Sequence, residues 1–265
     1  MRHFTFTDIN VPDATSTHAF GLNNGNDVVG EYFTTNSFFG FLDQNGCFTT
    51  INPPGALGSS ASGVNNSGEI VGTVVTSVGI DGFSYDQGCY QTISVPGAIA
   101  TDAGGVNDQG EIVGHYFDAS GAGHGYLDVN GQFTTIDVPG AISTQANGIN
   151  DCGQIVGAYT GATGTHGFVE TQGQFATLNA PGAIETRAYG INNHGEIVGY
   201  YEDSSGVQHG FIDMKGVFTT VDAPGATSTS AYGVNDHGAI AGRYVDTVGL
   251  HGFLAQHSHR DCGFG

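Results

Sequence analysis

The chain has 265 residues, of which 45 are glycine and only 11% are charged, and its formal net charge is −20. A charge of that sign repels phosphates and no basic stripe offsets it, which excludes nucleic acid as a partner. No apolar stretch approaches the roughly 18 residues that a membrane span needs, which excludes a membrane partner.

One segment recurs six times along the chain. It reads GLNNGNDVVGEY in the first copy and GINNHGEIVGYY in the fifth, and the copies begin at Gly21, Gly63, Gly105, Gly148, Gly190 and Gly233. A repeat of about 40–45 residues that carries four short strands is typical of a β-propeller blade. The pattern predicts an all-β fold: a six-bladed propeller with four antiparallel strands in each blade.

Four strands can be read in every copy, and we name them a to d from the axis outward. In the fifth copy they span 186–192, 196–201, 209–212 and 218–222. β-branched and aromatic residues fill these runs and turn residues separate them. An open β-solenoid is the alternative, but it would need atypical capping repeats at both ends.

The two ends of the chain are complementary. The sixth copy stops after His251-Gly-Phe-Leu and lacks the segment like FTTIDVPGA that closes each of the first five copies. The missing segment stands at the other end, as FTFTDINVPD over 4–13. We therefore predict that residues 3–9 form the outer strand of the sixth blade. Residues 1–256 would then be one propeller domain, a monomer, with a polar tail over 257–265.

The turn between strands a and b has the sequence Asn-[Asn/Asp]-x-Gly, with Asn26 in place of the glycine in the first copy. This sequence is typical of a type I turn with a positive φ at its fourth residue. Such a turn followed by a bulge would place Ile191 opposite Ile197 and Tyr189 opposite Gly199. An aromatic ring lying over a cross-strand glycine is a known pairing.

The four cysteines do not form a disulfide framework. Cys47 and Cys89 precede the outer strands of neighbouring blades, where their Cα atoms should lie beyond the roughly 7 Å limit for a disulfide. Cys152 falls in an a–b turn and Cys262 in the tail. We expect free thiols, which favour a reducing compartment. The N-terminal MRHFTFTD also lacks the apolar region of a signal peptide, so these two features favour the cytoplasm.

The combination of G-[IV]-N-x-x-G-x-[IV]-V-G with a following His-Gly-Phe resembles the HAF-type repeat of bacterial proteins over nearly the whole chain. The triplet begins at His166, His209 and His251, and it reads His-Gly-Tyr at His124. In the first two copies Phe39 and Asp81 stand in place of the histidine. The resemblance implies a propeller-like array and an extracellular location. It implies no catalytic residue, and the compartment stays open.

Residues that recur in every copy should build the ring. We interpret the recurrent asparagine as a turn former and the histidine before Gly-Phe as the residue that fastens the b–c loop to strand c, the alternative being a ring of metal ligands. The b–c loops that begin at Asp118, Asp203 and Asp246 offer single carboxylates, fewer oxygens than calcium needs. We predict no metal site and no cofactor, with a divalent cation such as calcium left open.

Function should lie where the copies differ, and three positions vary freely. The second residue of strand a is His18, Ser60, Asp102, Gln145, Arg187 or Ser230. The residue after the strand b glycine is Glu31, Thr73, His115, Ala158, Tyr200 or Arg243. A third position, also on strand a, is Phe20, Ser62, Gly104, Asn147, Tyr189 or Tyr232. Because strands a and b are antiparallel, all three should cluster around one mouth of the central channel.

The chemistry of this mouth predicts a binding module for a polar small molecule or a carbohydrate. Its two arginines would either pair with Glu31 and Asp102 or hold oxygens of the ligand, and its aromatic rings would stack on it. The predicted ligand-binding residues are Arg187, Arg243, Tyr189, Tyr200, Tyr232, Phe20 and Gln145. A scaffold that binds no small ligand is a further alternative.

An enzyme is the other hypothesis, and whether the protein is one stays open. His18 with Glu31, or His115 with Asp102, could form an imidazole–carboxylate pair for acid–base catalysis in a hydrolase or lyase. The bulged turn favours His18 opposite Tyr32, which would separate that pair, whereas a shift of one residue would bring its members together. The sequence contains neither a nucleophile motif nor a zinc motif.

Overall fold

A computed structural model describes residues 3–257, which form a propeller of six four-stranded antiparallel blades. Blade one contains β2 (Ser16–Leu22), β3 (Val28–Phe33), β4 (Phe38–Gln44) and β5 (Cys47–Ile51). Blade two contains β6 (Gly58–Val64), β7 (Ile70–Val75), β8 (Ile80–Asp86) and β9 (Cys89–Ile93). Blade three contains β10 (Ala100–Val106), β11 (Ile112–Phe117), β12 (Gly123–Val129) and β13 (Gln132–Ile136).

The second half of the ring repeats this arrangement. Blade four contains β14 (Ser143–Ile149), β15 (Ile155–Gly161), β16 (Gly164–Thr171) and β17 (Gln174–Leu178). Blade five contains β18 (Glu185–Ile191), β19 (Glu196–Glu202), β20 (Gln208–Met214) and β21 (Val217–Thr220). Blade six contains β22 (Ser228–Val234), β23 (Ile240–Val245), β24 (Leu250–His257) and, as its outer strand, β1 (Phe4–Ile9).

The predicted closure of the ring is confirmed. Strand β1 pairs antiparallel with β24 over six residue pairs, from Phe4 with His257 to Ile9 with Gly252. The Tyr244 hydroxyl donates to Asp8 Oδ1 over 2.9 Å, in the place where other blades join a tyrosine to a threonine of strand d. Strand β24 runs one residue past the predicted boundary at 256. The rest of the predicted tail, with Cys262, lies outside the described residues.

The core consists of hydrophobic layers between neighbouring blades, and its largest members are aromatic residues of the third strands. Phe211 is fully buried and pairs with Gly199. A Cβ on that glycine would lie only 2.8 Å from the Phe211 ring. The same contact recurs in each blade, so an aromatic ring does lie over the glycine. It comes from strand c, however, and the prediction that Tyr189 would cover Gly199 was wrong.

Six asparagines at the inner ends of the blades close a ring of hydrogen bonds. In each turn the side-chain oxygen accepts two backbone N–H groups, as Asn150 does from Cys152 and Gln154. The amide nitrogen donates to the backbone oxygen of the equivalent asparagine in the next blade, over 2.9–3.4 Å. The six donors are Asn23, Asn65, Asn107, Asn150, Asn192 and Asn235. The asparagine is therefore both a turn former and the link between blades.

The residue after each of these asparagines closes a second ring. Its backbone N–H donates to the side-chain oxygen of the equivalent residue in the next blade, over 2.8–2.9 Å. The six residues are Asn24, Asn66, Asp108, Asp151, Asn193 and Asp236. All six residues are Asn or Asp, so every blade offers a side-chain oxygen to the backbone N–H of its neighbour.

Two further features concern the surface. Cys47, Cys89 and Cys152 are exposed free thiols, as predicted. Within residues 3–257 there is no helix with the length and hydropathy that a membrane crossing requires.

The asparagine ring can be tested by replacing Asn150 with Asp. The carboxylate keeps the two turn contacts but has no hydrogen to donate to the Asn192 oxygen, and it places a charge at a buried position. We expect a loss of about 2–3 kcal/mol in the free energy of unfolding, measured by urea denaturation. Asn36→Asp in an exposed loop is the control for added charge and should change it by less than about 0.5 kcal/mol. Equal effects of the two substitutions would show that the ring does not stabilise the fold.

Candidate functional site

The inner strand of every blade carries a bulge that aims one residue at the axis. In blade five the a–b turn places Ile191 opposite Ile197, as predicted. The register then shifts between Ala188 and Gly190, so Ala188, not Tyr189, lies opposite Gly199. The extra residue at a bulge is left unpaired and its side chain is redirected. Here that residue is Tyr189, and its equivalents are Phe20, Ser62, Gly104, Asn147 and Tyr232.

The same shift corrects the predicted pairing near the mouth. His18 lies opposite Glu31 rather than Tyr32, and Asp102 lies opposite His115. Residues directly opposite in an antiparallel pair share one face of the sheet. Both imidazole–carboxylate pairs are therefore assembled.

A cavity of about 320 Å³ occupies the central channel. Its floor is formed by the last residues of the inner strands, which are Leu22, Val64, Val106, Ile149, Ile191 and Val234. The wall is uneven, because Phe20, Tyr189 and Tyr232 fill the side formed by blades five, six and one, whereas Ser62, Gly104 and Asn147 leave space on the side of blades two to four.

Blades two and three supply the polar wall of the cavity. Asp102 Oδ2 lies 3.1 Å from His115 Nε2, and Asp102 Oδ1 accepts a 2.6 Å hydrogen bond from Thr73 Oγ1. Burial alone would raise the pKa of Asp102, but the hydrogen bonds from His115 and Thr73 outweigh it and lower that pKa. The carboxylate is therefore ionised, and its side chain keeps 27% exposure toward the channel.

The aromatic side of the cavity is a corner of perpendicular rings. The Phe20 and Tyr232 centroids are 5.2 Å apart at an interplanar angle of 86°, and those of Tyr189 and Tyr232 are 4.7 Å apart at 73°. Edge-to-face contacts of this kind stabilise aromatic clusters. Burial raises the pKa of the Tyr189 and Tyr232 hydroxyls, so both stay neutral.

The two arginines do not line the cavity. Arg187 Nε donates to Glu185 Oε1 over 2.5 Å, and its Nη1 lies 3.3 Å from Gln145 Oε1. The expected partners, Glu31 and Asp102, are not its partners. The reason is that residues 185 and 187 alternate onto the same face of one strand. Tyr200 also donates to Glu185, over 3.2 Å.

The second arginine lies against the first imidazole pair. The Arg243 guanidinium carbon is 5.6 Å from the Tyr232 ring centroid, and its Nη1 is 3.5 Å from His18 Nδ1. The same His18 nitrogen is 3.0 Å from Glu31 Oε1. Neither His18 nor Glu31 lines the cavity, so this pair is a packed cluster behind Phe20 rather than part of the open wall.

The histidines before Gly-Phe or Gly-Tyr contact the b–c loop and the outer strand of their own blades, a region that we call the blade rim. His124 Nδ1 lies 2.8 Å from Asp137 on the outer strand, and its Nε2 lies 3.6 Å from Asp118 in the b–c loop. His209 contacts Asp222 and Asp203 in the same way. Each ring also stacks on a tyrosine of strand b. These histidines hold the b–c loop and the outer strand of their blades together. Among residues 3–257 no group of three His, Cys, Asp or Glu side chains is arranged to hold a metal ion.

The site differs from the prediction mainly in its small residues. Phe20, Asp102, His115, Tyr189 and Tyr232 line the cavity, whereas His18, Glu31, Gln145, Arg187, Tyr200 and Arg243 surround it. The lining residues that the prediction omitted are Ser60, Ser62, Thr73, Gly104 and Asn147. They stand at the same variable positions, and their small size was the signal, since a small side chain beside the axis leaves room for a ligand.

The chain thus belongs structurally to the six-bladed β-propellers. Neither a protein-family model nor a curated protein matches it, so the HAF resemblance stays a prediction. Among solved structures it resembles AofleA from Arthrobotrys oligospora, at 13% identity with a TM-score of 0.58 over 96% of this chain and 86% of that one. The Aleuria aurantia lectin, described as a six-bladed propeller with a fucose recognition mode, gives 12% and 0.56 over 97% and 100%.

A third similar structure is an enzyme. A virginiamycin B lyase from Staphylococcus aureus, solved with quinupristin, shares 11% identity with a TM-score of 0.52 over 95% of this chain and 99% of that one. At such identities the likeness establishes the fold alone, since propellers of one architecture carry unrelated functions.

The rim histidines predict a pH dependence of stability. Hydrogen bonding to Asp137 raises the pKa of His124, and the contacts of His209 with Asp222 and Asp203 outweigh burial and raise its pKa above the ordinary 6.5. A pKa raised on folding stabilises the fold fully below 6.5, and the contribution is lost as pH rises through the folded value. We expect replacing both histidines with Gln to lower the melting temperature clearly at pH 6 and only slightly at pH 9.

His166 provides the matched control for that measurement. Its two ring nitrogens contact the neutral side chains of Asn179 and Thr163. Its replacement with Gln removes no ion pair, so the loss in melting temperature should not depend on pH. A loss that is the same at pH 6 and pH 9 for the double substitution would rule out the ion-pair account.

Proposed function

We propose that this propeller is a binding module that holds a polar small molecule or a glycan in its central channel. The observation that supports this most directly is the cavity of about 320 Å³ with an aromatic corner on one side and Asp102, His115 and Thr73 on the other. Ligand sites are typically concave, mostly apolar and fitted with a few convergent polar groups, with volumes of about 300–1,000 Å³.

A comparison of the six repeats supports a functional role for the cavity. An aromatic residue is accepted at the bulge position of blades one, five and six, so the same position in blades two to four could be filled equally well. A channel filled all round would bury more apolar surface and gain stability. Instead, Ser62, Gly104 and Asn147 keep one half of the channel open beside the polar wall.

The similar structures are consistent with this proposal, but they do not establish it. The Aleuria aurantia lectin was solved with fucosides, which shows that a six-bladed propeller can hold a sugar. For this chain the ligand would be held by Asp102, His115 and the three rings. Arg187, Gln145 and Tyr200 would support those rings from behind, because they are already engaged with one another and with Glu185. Arg243 would support Tyr232, over which its guanidinium lies.

The proposal can be tested by filling the cavity with a side chain that the fold already accepts. Ser62→Phe places in blade two the residue that blade one carries at the same position, so folding should be preserved. We expect this substitution to reduce the affinity for any ligand found in a glycan and metabolite panel by more than about tenfold, measured by calorimetry. Ser62→Ala, which removes the hydroxyl and keeps the space, is the control. Unchanged affinity in Ser62→Phe would place the ligand elsewhere.

A second function is favoured by one specific contact, the 3.1 Å pair of Asp102 and His115 at the open wall. A carboxylate that holds one imidazole nitrogen leaves the other to move a proton, the arrangement that a lyase or hydrolase needs. If the pair is catalytic, a bound panel compound should be converted to product, and His115→Ala should abolish conversion even at compound concentrations that saturate the variant. The binding module instead predicts no product from any compound that the wild-type protein binds.

A further inference from the structure

Resting on the proposed function, the chemistry of the cavity also indicates which ligands fit. We propose that the ligand carries a compact organic cation, an amine or ammonium group that lies between the Asp102 carboxylate and the corner formed by Phe20, Tyr189 and Tyr232.

The charges around the cavity leave one carboxylate with neither an arginine nor a lysine beside it, and its ion-pair contact is the His115 imidazole. Arg187 is paired with Glu185. Arg243 lies beside His18, which in turn contacts Glu31, so a second carboxylate stands near the second arginine. Asp102 is the third, and the residues that line the cavity with it include neither Lys nor Arg. This carboxylate would repel an anionic ligand in the cavity and attract a cationic one.

The aromatic corner suits a compact cation better than a flat sugar ring. Stacking on a sugar is favoured by one flat aromatic platform, but here neighbouring rings are nearly perpendicular, at 86° and 73°. Perpendicular rings present faces from two directions, the arrangement that attracts an ammonium group through the ring quadrupoles. The Tyr232 ring already attracts one cation, because the Arg243 guanidinium carbon lies 5.6 Å from its centroid.

Asp102 also keeps the capacity for a further hydrogen bond. Thr73 uses one acceptor site on Oδ1, and His115 uses one on Oδ2. A carboxylate has about four such sites, so an N–H donor can be added without breaking either contact. The net charge of −20 would in addition concentrate cations near the protein and speed their association.

The experiment uses pairs of probes that differ in charge and hardly in shape. The first pair is choline and the alcohol in which a carbon atom replaces its nitrogen, and the second is glucosamine and glucose. Titration calorimetry on the full chain should give at least about tenfold tighter binding for the charged member of one pair. The pair that responds distinguishes a quaternary ammonium from a protonated amine as the preferred group.

Two substitutions then locate the charge. Asp102→Asn keeps the shape of the side chain and should lower the affinity for the charged probe about tenfold while barely changing that for its neutral counterpart. Asp86→Asn removes an equal charge at an exposed position outside the cavity and should change neither. A loss of the same size in both variants would mean that the net charge, not Asp102, attracts the probe, and would overturn the proposal.

The remaining outcomes separate this inference from the proposed function. Glucose or the neutral alcohol binding as tightly as its charged counterpart, with the affinity lost in Ser62→Phe, would refute the cation and leave the binding module standing. If none of the four probes binds and a neutral glycan from the panel does, the cation is likewise refuted. If a charged probe binds equally well to Ser62→Phe, both the site and the cation are wrong.

Discussion

The structure depends on the ring of six asparagine amides at the inner ends of the blades. A propeller blade shares few backbone hydrogen bonds with its neighbours, and here blades two and three are joined by a single bridge pair. The asparagine amides supply polar links at the axis, where an unpaired buried group would be costly. The last link, from Asn235 to Asn23, joins the sixth blade to the first, so the ring closes at the axis as well as through β1 at its outer edge.

That constraint explains why the rest of the inner strand can vary. Each inner strand is fixed at its end by the asparagine and in its middle by an alanine, which pairs with the strand b glycine that the strand c aromatic covers. The bulge lies between these two fixed points and turns one side chain toward the axis in every blade. This side chain makes no contact that recurs in every blade, so Phe20, Gly104 and Tyr189 can occupy equivalent positions. The fold thereby separates the residues that hold the ring from those that shape its channel.

The sequence was sufficient for the fold but only partly for the site. The repeat length, the turn residues and the complementary ends determine six blades and their closure. A bulge was predicted at the a–b turn, but the one within the inner strand could not be foreseen, because its position accepts Phe, Ser, Gly, Asn and Tyr alike and so leaves no pattern. Without this bulge, His18 was predicted opposite Tyr32 instead of Glu31. Tyr189 was predicted over Gly199, whereas its side chain is directed toward the axis. The partner of Arg187 was foreseeable, since Glu185 stands two residues away on the same strand face.

The asymmetry of the channel is the last consequence of this arrangement. Six identical blades would produce a channel either filled or empty all round, with identical chemistry on each side. Here three aromatic residues occupy neighbouring blades, and the small residues occupy the other three, so one apolar wall faces one polar wall. The charges divide in the same way, because the arginines lie with the aromatic blades beside Glu185 and Glu31, and Asp102 lies opposite them. A ligand held in the channel would therefore be oriented, with one end toward the rings and one toward the carboxylate, although the ring around it is nearly symmetric.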